Sequence, residues 1–189
     1  MQNLTKQIQN YKPFNEQEMV DKQVTLDFIN TFEDVLTRNN NFGHFSSSAI
    51  VLNKERTKVL LVHHNLYNGW IYPGGHADGE SDLLGVAKRE VEEETGVKAT
   101  KLSCNIFGLQ ILPVDGHVKR GKYVACHPHY DFVYLFEATE DNVKIKEDEN
   151  SSVKWVLIDD IKHGKIEPVD FIVPIFKKIF EKLEHEKLI

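Results

Sequence analysis

Cysteine is nearly missing from this chain. Cys104 and Cys126 are the only two, far apart in sequence and in no CxxC pair. A disulfide framework is therefore excluded, and two free thiols in a reducing compartment are expected. Long apolar runs are missing too. No stretch approaches the roughly 20 residues that a spanning helix needs, and the opening Met1-Gln2-Asn3-Leu4-Thr5-Lys6 lacks the apolar centre of a secretory signal. A cytoplasmic protein with no membrane partner is the expectation. Basic excess is also absent: 23 Lys and Arg stand against 29 Asp and Glu, for a net charge of −6. That argues against general nucleic-acid binding. It leaves a nucleotide substrate open, because a bound cation can reverse the local field. Internal repeats and low-complexity segments are likewise missing.

What is present suits one ordinary domain with a decorated end. The chain has 189 residues, of which 41% are hydrophobic. Its most informative stretch is residues 73–97, where Pro73-Gly74-Gly75-His76-Ala77-Asp78-Gly79 leads toward a predicted helix that carries four glutamates. Read as a helix from Ser81 to Thr95, Glu90, Glu93 and Glu94 stand at i, i+3 and i+4 and share one face. Glu92 points the other way. Leu83, Leu84, Ala87 and Val91 form an apolar stripe beside the acidic one. Like charges at this spacing destabilise a bare helix. A divalent cation removes that cost, and carboxylate oxygens suit hard cations such as Mg²⁺ or Mn²⁺. Two adjacent glycines let the backbone turn sharply and approach a ligand.

This stretch resembles the Nudix box, G-X5-E-X7-R-E-U-X-E-E-X-G-U, with U a bulky aliphatic residue. Gly75 matches the first glycine. Arg89, Glu90, Val91, Glu93, Glu94, Gly96 and Val97 match the second half without a gap. One position departs: Ser81 stands where the pattern has its first glutamate, and Glu80 sits one place early. Ser81 is expected to cap the helix instead, with Asp82 following at the positive end of the dipole.

Along the rest of the chain, residues 1–43 read as an N-terminal helical extension and residues 44–189 as the main domain. Asn15 before Glu16 and Glu18 marks a helix start. Val20, Val24, Phe28 and Phe32 then recur at helical spacing, and simple packing on the domain is preferred over a lid or a homodimer contact. Ala49–Leu52 and Lys58–Val62 form a predicted hairpin around Lys54-Glu55-Arg56-Thr57. A strand-rich run covers residues 99–113. The basic loop from Val114 to Lys122 follows, read mainly as a solvated hairpin tip. Tyr123 to Ala138 reads as another strand, with Pro128 suggesting an edge or a bulge. Val153–Leu157 is a further strand. A terminal amphipathic helix then carries Phe171, Ile172, Ile175, Phe176, Ile179, Phe180 and Leu183 on its apolar side, with regular helix beginning near Pro174.

The resemblance implies an α/β fold, an α/β/α sandwich around a mixed sheet, and hydrolysis of a nucleoside diphosphate linked to another group. By position, Glu90, Glu93, Glu94 and the Gly74 carbonyl are implied metal ligands, with Arg89 holding the glutamates by charge-assisted hydrogen bonds. Glu90 is the implied general base from the box. Glu147, Asp148 and Glu149 form a later acidic loop where a base can also sit. From spacing alone, His127, His129 and Asp131 point to one face of a strand and are candidates for substrate or metal contact. Trp70, Tyr72, Phe107 and Tyr123 can stack on a base, though core packing explains most such aromatics. The expected partner is a small-molecule diphosphate. Two alternatives stay open. One is a catalytically silent nucleotide-binding module. The other is a prenyl-diphosphate isomerase, whose chemistry needs a reactive cysteine such as Cys104 or Cys126.

Overall fold

The computed structural model describes residues 1–119, 121–140 and 143–189. Strand β1 (His44–Asn53) is the spine of an eight-stranded sheet. All ten of its residues are buried, as expected of a strand covered on both faces. It pairs antiparallel with β2 (Lys58–His64), completing the predicted hairpin, and β2 also pairs with β3 (Gly69–Ile71). Short β4 (Gly74–His76) lies antiparallel on the start of β1. On its other side β1 runs parallel to β9 (His127–Ala138), which makes the sheet mixed. β9 also pairs with β5 (Thr100–Lys101) and β6 (Gly108–Val114), while β10 (Asn150–Leu157) closes the far edge beside β2. A two-stranded ribbon, β7 (His117–Lys119) and β8 (Lys122–Val124), stands apart.

Helices α1 (Gln2–Asn10), α2 (Glu16–Thr31), α3 (Leu83–Thr95), α4 (Ile158–Lys162) and α5 (Val173–His185) flank this sheet. Ser47 on β1 donates to the Leu83 carbonyl of α3 at 2.6 Å, whereas its neighbours Ser46 and Ser48 donate to Asp131. Alternate residues of the strand thus serve the two faces. Among the described residues, no helix is long and apolar enough to cross a membrane.

The N-terminal helices share the main core. Leu4 and Ile8 of α1 and Phe28 of α2 are buried, and Phe28 stacks on Tyr130 with ring centroids 4.2 Å apart. Asn15 caps α2, accepting from the Glu18 N–H at 2.9 Å. The buried stripe of α2 nevertheless differs from the apolar one in its sequence. Val20 and Val24 are exposed, and Glu18, Thr25 and Phe28 face inward.

The polar member of that stripe has a reason to be inside. Glu18 lies 3.0 Å from Lys178 and 4.0 Å from Lys182, both buried on α5, and accepts from the Tyr11 hydroxyl at 2.5 Å. A buried charge is tolerated when it is paired and hydrogen-bonded.

Three local expectations also change. The strand-rich run over residues 99–113 is interrupted, because residues 102–107 form a loop between β5 and β6. Pro128 sits near the start of a central strand rather than on an edge. It precedes the register with β1, which begins at His129, and it faces Pro113 of β6, so two residues without an N–H oppose each other. Finally, α5 begins at Val173 after a 3₁₀ turn over Asp170–Ile172, one residue ahead of Pro174.

Candidate active site

A cavity of about 1090 Å³ opens beside β1, β4 and α3. Its wall contains Gly74, Gly75, Glu90, Glu93 and Glu94 from the glycine-rich stretch and helix, and His127, His129 and Asp131 from β9. The turn that builds the first group is tight. Glu80 N–H donates to the Ala77 carbonyl at 2.9 Å across Asp78 and Gly79, both at positive φ. Asp and Gly are residue types that accept that conformation.

The cap of α3 falls one residue later than its sequence suggests. Asp82, not Ser81, accepts from the Gly85 N–H at 3.1 Å, and the helix begins at Leu83. Asp82 also supplies the negative charge favoured at the helix start, so one side chain fills both roles. Gly96 closes the helix in the left-handed conformation, φ 71°, with its N–H on the Glu92 carbonyl.

The three glutamates differ in surroundings. Glu94 is 2% exposed and accepts from the Gly74 N–H at 3.0 Å and from the Asn150 amide at 3.3 Å. Burial pushes its carboxyl up to about 8, against the pull of those two donors. Glu90 is half-buried, and its carboxyl is raised first by burial and then by neighbouring Glu93. Glu93 is open to solvent and lies 3.6 Å from Arg89 and 3.7 Å from Lys146. Arg89 also reaches Glu90 at 3.5 Å and Glu80 at 2.5 Å.

Gly74 and Gly75 are glycines for reasons of space. A Cβ on Gly74 would stand 2.3 Å from Ser48 Oγ, and one on Gly75 would stand 2.5 Å from Glu90 Cδ. Gly74 opposes Ser48 in the antiparallel ladder, whose next bond is Ala49 N–H to the Pro73 carbonyl. In that pattern the N–H and C=O of Gly74 itself face away from β1. The N–H goes to Glu94, and the carbonyl faces the same side. These oxygen donors suit a hard divalent ion.

Asp131 lies on the face shared with His127 and His129, yet its oxygens are occupied. It accepts from Ser46 at 3.0 Å, Ser48 at 2.7 Å, Gln110 at 2.7 Å and Tyr72 at 3.4 Å. It is 1% exposed, and burial raises its carboxyl despite those donors. Gln110 in turn accepts from Lys178 at 2.9 Å. A buried polar chain therefore joins Glu18 of α2 to the cavity wall.

Spacing alone missed several residues. His44 of β1 and His76 of β4 line the same cavity as His127 and His129, with neighbouring ring centroids 4.7–5.1 Å apart. Burial holds His44 low at about 4, His76 at about 3 and His129 at about 2. Arg38, at the rim, donates its Nε to Asp78 at 2.7 Å. The β7–β8 ribbon overhangs the cavity through His117, Val118, Lys119 and Tyr123, which gives the basic loop a place beside the site; Arg120 lies outside the described residues. Of the later acidic loop, Asp148 and Glu149 line the cavity, and Glu149 pairs with Lys146 at 2.8 Å. Of the four aromatics, Tyr72 and Tyr123 line the cavity; Phe107 lies buried beneath Lys182, and half-buried Trp70 packs against His63 and Lys154. Cys104 and Cys126 are both exposed, and neither lines the cavity.

Residues 43–173 match the NUDIX domain model. The chain belongs to the Nudix family. An RNA pyrophosphohydrolase of Pelagibacter ubique is 32% identical over 142 residues, covering 71% of this chain and 87% of that protein. A bis(5'-nucleosyl)-tetraphosphatase of Mus musculus is 33% identical over 98 residues, covering 50% of this chain and 56% of its own length. The solved structure of a C. elegans Ap4A hydrolase binary complex has the same fold, with a TM-score of 0.50 at 19% identity, over 75% of this chain and 98% of that one. A MutT protein from Methanosarcina mazei superimposes with the same TM-score and identity over 80% of this chain and 98% of its own. The mixed sheet with flanking helices is thus the Nudix fold, and diphosphate hydrolysis is the class of chemistry this Nudix enzyme belongs to.

Proposed function

We propose that the chain cleaves the diphosphate linkage of a nucleoside diphosphate derivative, with Mg²⁺ or Mn²⁺ held by Glu90, Glu93, Glu94 and the Gly74 carbonyl. The observation that carries this reading is the gathering of three carboxylates beside a carbonyl that faces away from its ladder, in one cavity. A diphosphate resists attack because its anionic oxygens repel a nucleophile. Bound divalent ions supply the neutralising charge and lower the pKa of a coordinated water.

The chain's own residues do the rest. Glu90, raised by burial, takes the proton of the attacking water as general base. Asp148 and Glu149 are the later-loop carboxylates in reach of the same cavity. Arg89 spans Glu80, Glu90 and Glu93 and so sets the spacing of the acidic face. His127 and His129 face the substrate. Asp131, saturated by four donors, positions that wall rather than touching the ligand. The substrate is a small molecule handled in the cytoplasm. The exposed cysteines outside the cavity speak against an isomerase that works through a thiol.

The test is a panel of nucleoside diphosphate sugars, dinucleoside polyphosphates, oxidised nucleotides and prenyl diphosphates, each incubated with Mg²⁺ and analysed for products. Glu93→Gln and Glu94→Gln remove charge at nearly constant shape. A loss of about a hundredfold or more in rate is expected for each, comparable to removing a key electrostatic group. Unchanged metal-dependent turnover in both variants would overturn the assignment.

A further inference from the structure

The histidines of the cavity supply none of the proposed oxygen ligands, and their arrangement asks for a ligand of its own. His44 and His129 face each other in the parallel register of β1 and β9, and His127 precedes His129 by two on the same face. One ring nitrogen from each of His44, His127 and His129 falls within 4.8 Å of the other two. His127 has its tautomer fixed. Its Nδ1 lies 2.7 Å from the Ala125 carbonyl, which can only accept, so Nδ1 carries the proton and Nε2 the lone pair. His44 is 3% exposed, with the Asn40 backbone beside its ring as a weak hydrogen-bond partner, and neither ring nitrogen has a partner of ordinary geometry among the described residues. His129 Nε2 is buried and unpartnered in the same way. Buried polar atoms are nearly always paired, and those left over call for an unseen partner. Here they lie together on one wall.

We propose that His44, His127 and His129 form a binding site for a first-row transition-metal dication of the zinc type, separate from the glutamate site on α3. The donor chemistry selects the ion: imidazole nitrogens suit zinc, cobalt and nickel, whereas Mg²⁺ and Ca²⁺ take oxygen. A zinc–nitrogen bond of about 2.0–2.1 Å puts tetrahedral ligands roughly 3.3 Å apart, so ring nitrogens now up to 4.8 Å apart need to close by up to about 1.5 Å. The hydrogen bond from His127 to Ala125 is the kind of outer contact that orients a metal-binding imidazole. Three protein ligands leave a coordination position open toward the cavity. That position takes water or an anionic oxygen of the bound molecule.

The two sites are joined by β4. Gly74 at its start contacts Glu94, and His76 at its end lies with its ring 5.1 Å from His44 and 4.8 Å from His129. Two strand residues span about 6.7 Å. One substrate can therefore meet both poles. The inference goes beyond the diphosphate-hydrolase reading and stands whatever the glutamates do.

The test uses the full chain, stripped of metal and supplied with excess Mg²⁺ to occupy the oxygen site. Co²⁺ is titrated in and followed by its visible absorption, with Zn²⁺ as competitor. Binding of one Co²⁺ per chain is expected, displaced by Zn²⁺ and not by Mg²⁺, with paramagnetically shifted imidazole N–H resonances. His44→Gln and His127→Gln should each weaken it at least tenfold, while Glu93→Gln leaves it unchanged. Failure of the wild-type chain to bind Co²⁺, or binding without shifted imidazole resonances, would overturn the site even if the variants misfold. So would Co²⁺ binding that follows Glu93→Gln and ignores the histidine changes. Loss of the hydrolase reading would show instead as absent Mg²⁺-dependent turnover with Co²⁺ binding intact.

Discussion

Glu80 Oε1 lies 2.5 Å from Arg89 Nη1, so the glutamate that sits one place early in the box reaches the arginine that also contacts Glu90 and Glu93. Ser81, in the box position itself, is exposed and is not even the helix cap. The departure from the pattern thus moves a carboxylate by one residue while keeping a carboxylate on Arg89. Ser81→Glu is expected to change turnover by less than about threefold, which is under 1 kcal/mol in barrier height. Glu80→Gln should lower turnover modestly and shift the melting midpoint little, because exposed ion pairs contribute about 0–1 kcal/mol. Steady-state rates across a Mg²⁺ series check both. A silent natural chain that Ser81→Glu switches on would instead make this a binding module.

The cavity also sets a pH dependence of stability, with two opposing parts. His44, His76 and His129 are held at about 4, 3 and 2, below the ordinary 6.5. Below pH 6.5 the unfolded chain binds protons that the folded chain refuses, so stability falls as pH drops. Glu94 runs the other way, raised from 4.5 to about 8. Between those values the folded chain holds the extra proton, so stability falls as pH rises through that window. Three histidines outweigh one glutamate until each unfolded imidazole is only about one-third protonated, so thermal melts of the metal-free protein should show a maximum near pH 7. Glu94→Gln should flatten the fall on the alkaline side and steepen the rise on the acid side, and added Mg²⁺ should raise the midpoint more at pH 8 than at pH 5. Equal shifts at both pH values would count against burial as the cause.

Glu18 and Lys178 are 0% and 4% exposed and lie 3.0 Å apart, which makes the pair expensive to break from one side. Lys178→Met is expected to cost about 3–5 kcal/mol, the range for leaving a buried charge without its partner. Adding Glu18→Gln should recover part of that loss. Denaturant melts of the two single variants and the double variant measure the coupling. Additive losses would mean that the two side chains act independently. Because Lys178 also donates to Gln110, and Gln110 to Asp131, the single variant should raise KM as well.

Much of the site was legible in the sequence because a helix brings i, i+3 and i+4 together by local geometry alone. The shared face of Glu90, Glu93 and Glu94 followed from spacing, their expected role as ligands with Gly74 came from the resemblance to the Nudix box, and the Asn15 cap was local as well. His127 and His129 could be put on one face by their period of two. His44 and His76 could not be joined to them, since that takes the β1–β9 and β1–β4 registers, which connect residues distant in sequence. That the Asp131 carboxylate is buried and already holds four donors could not be read from the sequence, because Ser46, Ser48, Gln110 and Tyr72 converge on it from three other segments. The inward face of α2 was misjudged for a similar reason. Glu18 is an acidic residue by type, and its burial is explained by two lysine partners on α5, about 160 residues later, together with the Tyr11 hydroxyl and the Phe14 N–H.

Gly75 gives the sharpest separation of activity from stability. A Cβ there would meet the Glu90 carboxylate, 2.5 Å from Cδ and 2.7 and 2.8 Å from its oxygens, and all of these atoms are the end of a flexible side chain. Gly75 is not among the residues at positive φ, so alanine fits its backbone. Gly75→Ala should therefore push the Glu90 carboxylate aside at small cost to folding, with a melting midpoint within a few degrees of the parent and a rate reduced at least tenfold, about 1.4 kcal/mol in barrier height. Gly74→Ala is different, because its Cβ would stand 2.9 Å from the Ser47 backbone carbonyl as well as 2.3 Å from Ser48 Oγ. Backbone cannot swing away, so that variant should lose stability and activity together. Replacing Glu90 by Asp in the Gly75→Ala background retracts the carboxylate by one methylene and should restore part of the rate. If Gly75→Ala turns over like the parent, the position of Glu90 is unimportant to catalysis, and the role of general base passes to Asp148 or Glu149 on the opposite loop.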